Sequence, residues 1–278
     1  MPRITGILIV TVLLAGCAHW HEPADSPLLE IHFIDVGYGD AILLCRGASR
    51  CLIDGGYPPM TDTVLRYLED LGVTELSAAV LTHPHPDHIG GLHGILSSGI
   101  STPMVYGPYP LDGPEIPSGF RDMIRQRGIE YTVVRDGDRI RLSGGIDLDV
   151  IHPETLEPDM NESSLVVYCA AFESGILFTA DIGPRAQQRI ETLHSGIFPV
   201  SILKAPHHGG ESLESFYRVA RPELTIVPDG INPYGNPRDE TLAMARRWSR
   251  RAIRLSETGS VLITETHPGS RDFRVEMR

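Results

Sequence analysis

The sequence predicts a single α/β domain in which two packed β-sheets carry helices on their outer faces. Three observations predict it. Short runs with strand character outnumber helical ones and come in series with helices interspersed, which suits packed layers. Hydrophobic residues make up 41% and charged residues 22% of 278, enough to bury a sizeable core and unlike a disordered acidic tail. The 28 Gly and 22 Pro supply frequent turns, yet no linker interrupts Leu29 to Arg278 and no internal repeat is visible.

Taken in order, Leu29 to Val36 alternates as a strand. Ala41–Leu44 and Leu52–Asp54 then read as the arms of a hairpin. Thr61 to Leu71 is helical, with Val64, Leu65, Leu68 and Leu71 on one face and Gly72 at its end. Ser77 to Thr82 is a short apolar strand. Further strands are expected at Tyr131–Val134, Arg139–Leu142, Ile146–Ile151, Leu165–Phe172, Ile176–Thr179, Ser201–Leu203, Leu224–Val227, Val261–Thr264 and Phe273–Glu276. Helices fit Ser118–Arg127, Pro184–His194 with its proline in the first turn, Ser212–Val219 and Arg238–Ser249.

The N-terminus reads as an address. Arg3 precedes an apolar run, Ile4 to Leu14, too short to span a bilayer core of about 30 Å, so it is a signal-peptide core. It closes on Leu14-Ala15-Gly16-Cys17, a pattern similar to the lipobox of bacterial lipoproteins, in which the cysteine is lipidated and becomes the first mature residue. Residues 1–16 are then the signal, 17–28 the lipidated Cys17 and a short linker, and 29–278 the domain. Ala18 after the cysteine favours, by the same resemblance, the outer membrane facing the periplasm. In such an oxidising compartment Cys45 and Cys51, at facing ends of the hairpin, are candidates for a disulfide. Cys169, inside an apolar run, reads as a buried small hydrophobe.

The chemistry concentrates in Thr82-His83-Pro84-His85-Pro86-Asp87-His88, directly after an apolar strand. In an extended segment residues two apart point the same way, so His83 and His85 can hold one metal ion together. Asp87 and His88 then turn into a following helix and can present a second pair. Imidazole and carboxylate suit Zn²⁺, Mn²⁺ or Fe²⁺. Two metal sites need further ligands. Asp181, at the end of the strand Ile176–Thr179, can bridge two cations, and His207-His208 follows another strand, one imidazole for metal and one for substrate.

These residues resemble the metallo-β-lactamase fold superfamily. Within it they are most similar to the extracytoplasmic hydrolase domain of ComEC-type competence proteins, through Phe33 to Ala41, Leu52 to Gly56, Leu81 to Gly91, Asn161 to Val167, Phe178 to Asp181, Lys204 to Gly209 and Tyr234 to Arg238. The resemblance implies a four-layer αβ/βα sandwich with a two-metal site at one edge. His83 and His85 would hold the first ion, Asp87, His88 and His208 the second, with Asp181 between them. Two divalent cations, Zn or Mn, are the implied cofactors. Many members add a histidine to the first site; here Asn161 to Ser164 stands in that region, and His152 is a weak substitute that reads better as structural. Asp40 and Asp54 either orient the ligating imidazoles or form turns beside Gly. Asn236 stands where related sequences often have His after Tyr-Gly, and with Tyr234 it is a donor to substrate.

The implied function is metal-dependent hydrolysis of phosphoesters, with Asp87 orienting the attacking hydroxide and His207 serving the leaving group. A small phosphoester or an envelope-polymer substrate fits better than single-stranded nucleic acid. The net charge is −12, and Arg246, Arg247, Arg250, Arg251 and Arg254 read as a solvated helix face, with a local phosphate-contacting patch as the alternative. A β-lactamase or thioesterase-type carbonyl hydrolase and a catalytically weak envelope-binding module are the alternatives. Among the basic residues Lys204 alone is a lysine, three positions before His207, so it is expected to bind a substrate anion or support the site.

Overall fold

A computed structural model describes residues 27–268, 270 and 272–278. The signal segment and Cys17 lie outside the described residues.

The first half builds β1 (Glu30–Phe33), β2 (Ile42–Arg46), β3 (Ser49–Ile53), β4 (Ala78–Val80), β5 (Met104–Gly107) and β6 (Glu130–Val133). Strands β1 to β3 pair antiparallel, and β3 to β6 run parallel. The parallel crossovers are α1 (Thr61–Asp70), α2 (Pro86–Ser97) and α3 (Ser118–Gln126). The second half gives β7 (Arg139–Leu142), β8 (Ile146–His152), β9 (Val166–Cys169), β10 (Ile176–Phe178), β11 (Ile202–Lys204), β12 (Leu224–Val227) and β13 (Arg251–Arg254). From β8 onward it repeats the same scheme: antiparallel through β10, then parallel through β13. Its crossovers are α4 (Pro184–Leu193), α5 (Glu214–Ala220) and α6 (Asp239–Trp248). The duplication is topological; no sequence repeat signals it. After a one-turn α7 (Leu255–Thr258), β14 (Val261–Glu265) and β15 (Phe273–Met277) rejoin the first sheet beside β1.

Three apolar clusters define four layers. Phe33, Ile53 and Val80 from one sheet meet Val150, Phe178 and Ile226 from the other in the central core. Val64, Leu68, Leu92, Ile95, Phe120 and Ile124 seat α1, α2 and α3 on the outer face of the first sheet. Ala186, Ile190, Phe216, Tyr217 and Ala245 do the same for α4 to α6 on the second. The expected four-layer sandwich is present.

Three sequence expectations change. Cys45 and Cys51 are free thiols, as is Cys169. Cys45 pairs with Arg50, and Cys51 with Leu44, so the two cysteines are one step out of register. Successive residues alternate faces, so Cys51 enters the central core while Cys45 lies under the helices. Burial raises their pKa to about 12 and about 11, respectively. Arg251 and Arg254 belong to a strand, not a helix face. Strands β5 and β13 were not predicted: β5 is four residues enclosed by Pro103 and Pro108, and β13 places only Ile253 fully inside.

Candidate metal centre

Parallel strands present their carboxyl ends to a common edge, the usual position of ligands in such sheets. Here β3, β4, β10, β11 and β12 each end there. Beyond β3, Asp54 accepts hydrogen bonds from the Thr82 backbone N–H at 2.9 Å and its hydroxyl at 2.6 Å, fixing the segment that follows β4. His83 sits in that segment, and His85 is the extended N-cap of α2, with Pro86 in the first turn. Asp87 and His88 therefore enter a helix whose N-terminus faces the centre.

His83 Nε2 lies 3.0 Å from His85 Nδ1 and 3.9 Å from Asp181 Oδ2. His88 Nε2 is 3.2 Å from Asp181 Oδ2 and 3.7 Å from Asp87 Oδ2. His208 Nε2 is 3.2 Å from Asp181 Oδ1 and 3.5 Å from Asp87 Oδ2. Asp181 thus stands between the His83 side and the His208 side. Asp87, His88, Asp181 and His208 offer ligand atoms all within 4.8 Å of one another, and all four residues are buried.

The backbone is bent to achieve this. Ala180, His207 and His208 have φ of 46°, 47° and 54°, a left-handed region that non-glycine residues seldom adopt and that clusters at functional sites. The paired left-handed turn lets neighbouring imidazoles serve one centre: His208 inside, and His207 Nε2 3.8 Å from Asp181 Oδ2 on the cleft wall.

The donor set fits divalent cations. His88 Nδ1 is anchored on Asp54 Oδ2 at 2.8 Å and His208 Nδ1 on the Pro228 carbonyl at 3.0 Å. Their Nε2 atoms are buried, point inward and have no hydrogen-bond partner. Four buried carboxylates, Asp40, Asp54, Asp87 and Asp181, share the region with one lysine. Burying such charge uncompensated is costly, and imidazole with carboxylate is the donor chemistry of Zn²⁺, Mn²⁺ and Fe²⁺. Without a cation, protons answer the same field. Burial alone would lower His208, but Asp181 and Asp40 reverse this and push it up to about 9. His88 is likewise held well above its usual range by Asp181, Asp54 and Asp87 against burial. Burial also opposes ionisation of Asp181, but His208, His88 and Lys204 keep its carboxyl well below the usual range. His83, buried beside His88, is driven well below it.

Lys204 corrects one expectation: it touches no cleft. It is fully buried behind the centre, donating to Asp40 Oδ2 at 2.7 Å and the Ala180 carbonyl at 2.7 Å, with Asp181 Oδ1 at 3.5 Å. Asp40 therefore holds Lys204, with His208 Nδ1 3.6 Å away, while Asp54 alone makes the orienting hydrogen bond to an imidazole. His152 bonds the Glu162 carbonyl at 2.7 Å and is structural. Of the basic residues, Arg254 clamps the buried Asp229 and Arg247 pairs with Glu214.

A cleft of about 710 Å³ opens over the centre. Its walls include His85, Asp87, Asn161, His207, Tyr234, Asn236 and Arg238, with Tyr38 and Tyr57, which the sequence did not single out. Asn161 Nδ2 is 3.4 Å from His207 Nε2. Tyr38 lies in the Gly37-Tyr38-Gly39-Asp40 stretch, whose glycines were the available signal.

A family model described as the metallo-beta-lactamase superfamily matches residues 34–230. ComE operon protein 3 of Bacillus subtilis (strain 168) is 25% identical over 93% of this chain. The uncharacterized protein YcaI of Escherichia coli (strain K12) is 25% identical over 73%. The alignments span only 35% and 25% of those relatives' own lengths. Among solved structures, the metallo-beta-lactamase fold protein YhfI from Bacillus subtilis aligns over 81% of this chain and 95% of its own, with a TM-score of 0.55 and 10% identity. A diphosphatase from the PhnP family aligns over 85% and 98%, with a TM-score of 0.50 and 14% identity. At these identities the structures establish the fold alone.

Proposed function

The chain belongs to the metallo-β-lactamase superfamily, and on that premise we propose that it is a binuclear metal-dependent hydrolase of phosphodiesters. The observation that carries this reading is the buried, carboxylate-rich cluster with two inward, unpartnered imidazole nitrogens beneath a cleft whose walls mix hydrogen-bond donors with carboxylates. His83, His85 and Asp181 would hold one cation, and Asp87, His88, His208 and Asp181 the other. Divalent cations bound there supply Lewis acidity and make water acidic enough to ionise near neutral pH.

The chain's own groups position the reaction. Asp87, on the cleft side, accepts a hydrogen bond from the attacking water and aims it at phosphorus. His207, held neutral chiefly by burial, lies on the opposite side of Asp181 from Lys204; Asn161 Nδ2 donates to its Nε2, so Nδ1 carries the proton that serves the leaving oxygen. Asn161 offers a further donor to an anionic substrate, and Arg238, one of whose nitrogens is 3.5 Å from Glu211 Oε2, lies on the same wall. Asn161, in place of a third imidazole beside His83 and His85, leaves that site with fewer strong ligands, which favours a phosphoryl oxygen completing it over a carbonyl.

A small phosphodiester or an ester on an envelope polymer suits this cleft. The net charge of −12 opposes a long polyanion, and Arg247 and Arg254, candidate phosphate contacts, are already engaged by acids. We further infer an envelope lipoprotein anchored through Cys17 and facing the periplasm. The test is a side-by-side panel on metal-loaded protein: bis-p-nitrophenyl phosphate, single-stranded DNA and nitrocefin. Cleavage of the first, lost in His85→Ala, is expected; cleavage of nitrocefin alone would overturn the phosphodiester reading.

A further inference from the structure

We infer that the Tyr38 hydroxyl is a catalytic hydrogen-bond donor to a non-bridging phosphoryl oxygen, and that Asn236 aims it. This rests on the phosphodiester reading above and deepens it.

Hydrogen-bond polarity decides where the phenolic hydrogen points. Asn236 Nδ2 lies 3.2 Å from the His207 backbone carbonyl, which can only accept, so the amide nitrogen must face that way. The same nitrogen lies 3.1 Å from Tyr38 Oη. Carrying two hydrogens and no acceptor lone pair, it donates to both. Tyr38 Oη is therefore an acceptor towards Asn236, and its own hydrogen must point elsewhere. No second partner for that hydroxyl exists among the described residues, while Tyr38 lines the cleft.

The position is also held. The Tyr38 ring packs on His208, with centroids 4.4 Å apart, so the hydroxyl reaches the cleft on the His208 side of the centre. A Cβ on Gly39 would meet the Asp87 carbonyl at 2.5 Å, and one on Gly230 would meet the Tyr38 nitrogen at 2.6 Å. Both flanks of the tyrosine are thus packed backbone to backbone, leaving its loop little freedom. A donor fixed before substrate arrives is the kind that lowers a barrier, because no reorganisation is needed when charge develops.

The experiment compares wild type, Tyr38→Phe, Asn236→Ala and the double variant, each loaded with divalent cations. Tyr38→Phe keeps the ring, so metal content and melting temperature should be unchanged. kcat for bis-p-nitrophenyl phosphate should fall about 10²-fold, with KM within about threefold. Calorimetric affinity for orthovanadate, a mimic of the five-coordinate phosphorus, should fall at least about tenfold, against a smaller change for inorganic phosphate. Asn236→Ala should slow the wild type by about tenfold and have no further effect in the Tyr38→Phe background. Unchanged kcat and vanadate affinity in Tyr38→Phe, or equal costs of Asn236→Ala in both backgrounds, would overturn the assignment. If the wild type hydrolyses no phosphodiester, that broader reading falls, and vanadate calorimetry alone decides the donor.

Discussion

Which nitrogen of His88 faces the centre is set from behind: Asp54 Oδ2 takes Nδ1 at 2.8 Å, leaving Nε2 to point inward. Such outer partners typically matter about 10–100-fold in metal affinity. Asp54→Asn should therefore weaken binding of the tighter cation by about that factor in a competitive chelator titration, with the fold intact. The protons that replace cations make a second prediction. In metal-free protein, His208 rises from 6.5 to about 9 and His88 also lies well above 6.5, so both bind protons more tightly folded than unfolded. That stabilisation is fully present below pH 6.5 and is lost as pH rises through 9. The depressed groups, His83, His207, Asp87 and Asp181, act below this window, since above 6.5 they are already deprotonated in both states. The metal-free melting temperature should fall between pH 6.5 and 9; a rise would contradict the charge assignment.

Helix α2 and its N-cap His85 carry three of the six candidate ligands, and the docking of the helix depends on missing side chains. A Cβ on Gly91 would collide with the Gly55 carbonyl, and one on Gly55 would collide with the Leu92 nitrogen. These are backbone clashes, so no rotamer change relieves them. Gly91→Ala should cost about 1–3 kcal/mol in urea unfolding and lower the metal content, because α2 must move away from β3 and take His88 with it. The elements were largely legible in the sequence. The amphipathic spacing of Val64, Leu65 and Leu68 marked α1, and the strand preceding His83 marked β4. Two kinds of feature were not legible. Strand β5 lies between prolines that outweigh a four-residue pattern, and the register that separates Cys45 from Cys51 depends on one residue of hairpin offset that composition does not encode.

At the scale of the molecule, two halves of like topology meet at one edge: the first supplies Asp54 and His83 to His88, the second Asp181, His207 and His208. The candidate ligands stood out in the sequence because each follows an apolar strand and their chemistry is distinctive. For Lys204 the sequence left open whether it meets substrate or supports the site, because proximity to His207 says nothing of depth; its ammonium neutralises Asp40 from inside the fold. Tyr38 and the left-handed turn at His207-His208 were hidden because they depend on contacts between segments far apart in sequence. The central claim is that two cations held by these residues make a phosphodiesterase. The most direct measurement is the rate of bis-p-nitrophenyl phosphate hydrolysis as metal-free protein is titrated with Zn²⁺ or Mn²⁺, with bound metal counted in each sample. The rate should climb until two ions are bound per chain and then level off; a fully loaded protein that leaves the diester intact, or reaches its plateau at one ion, would contradict it.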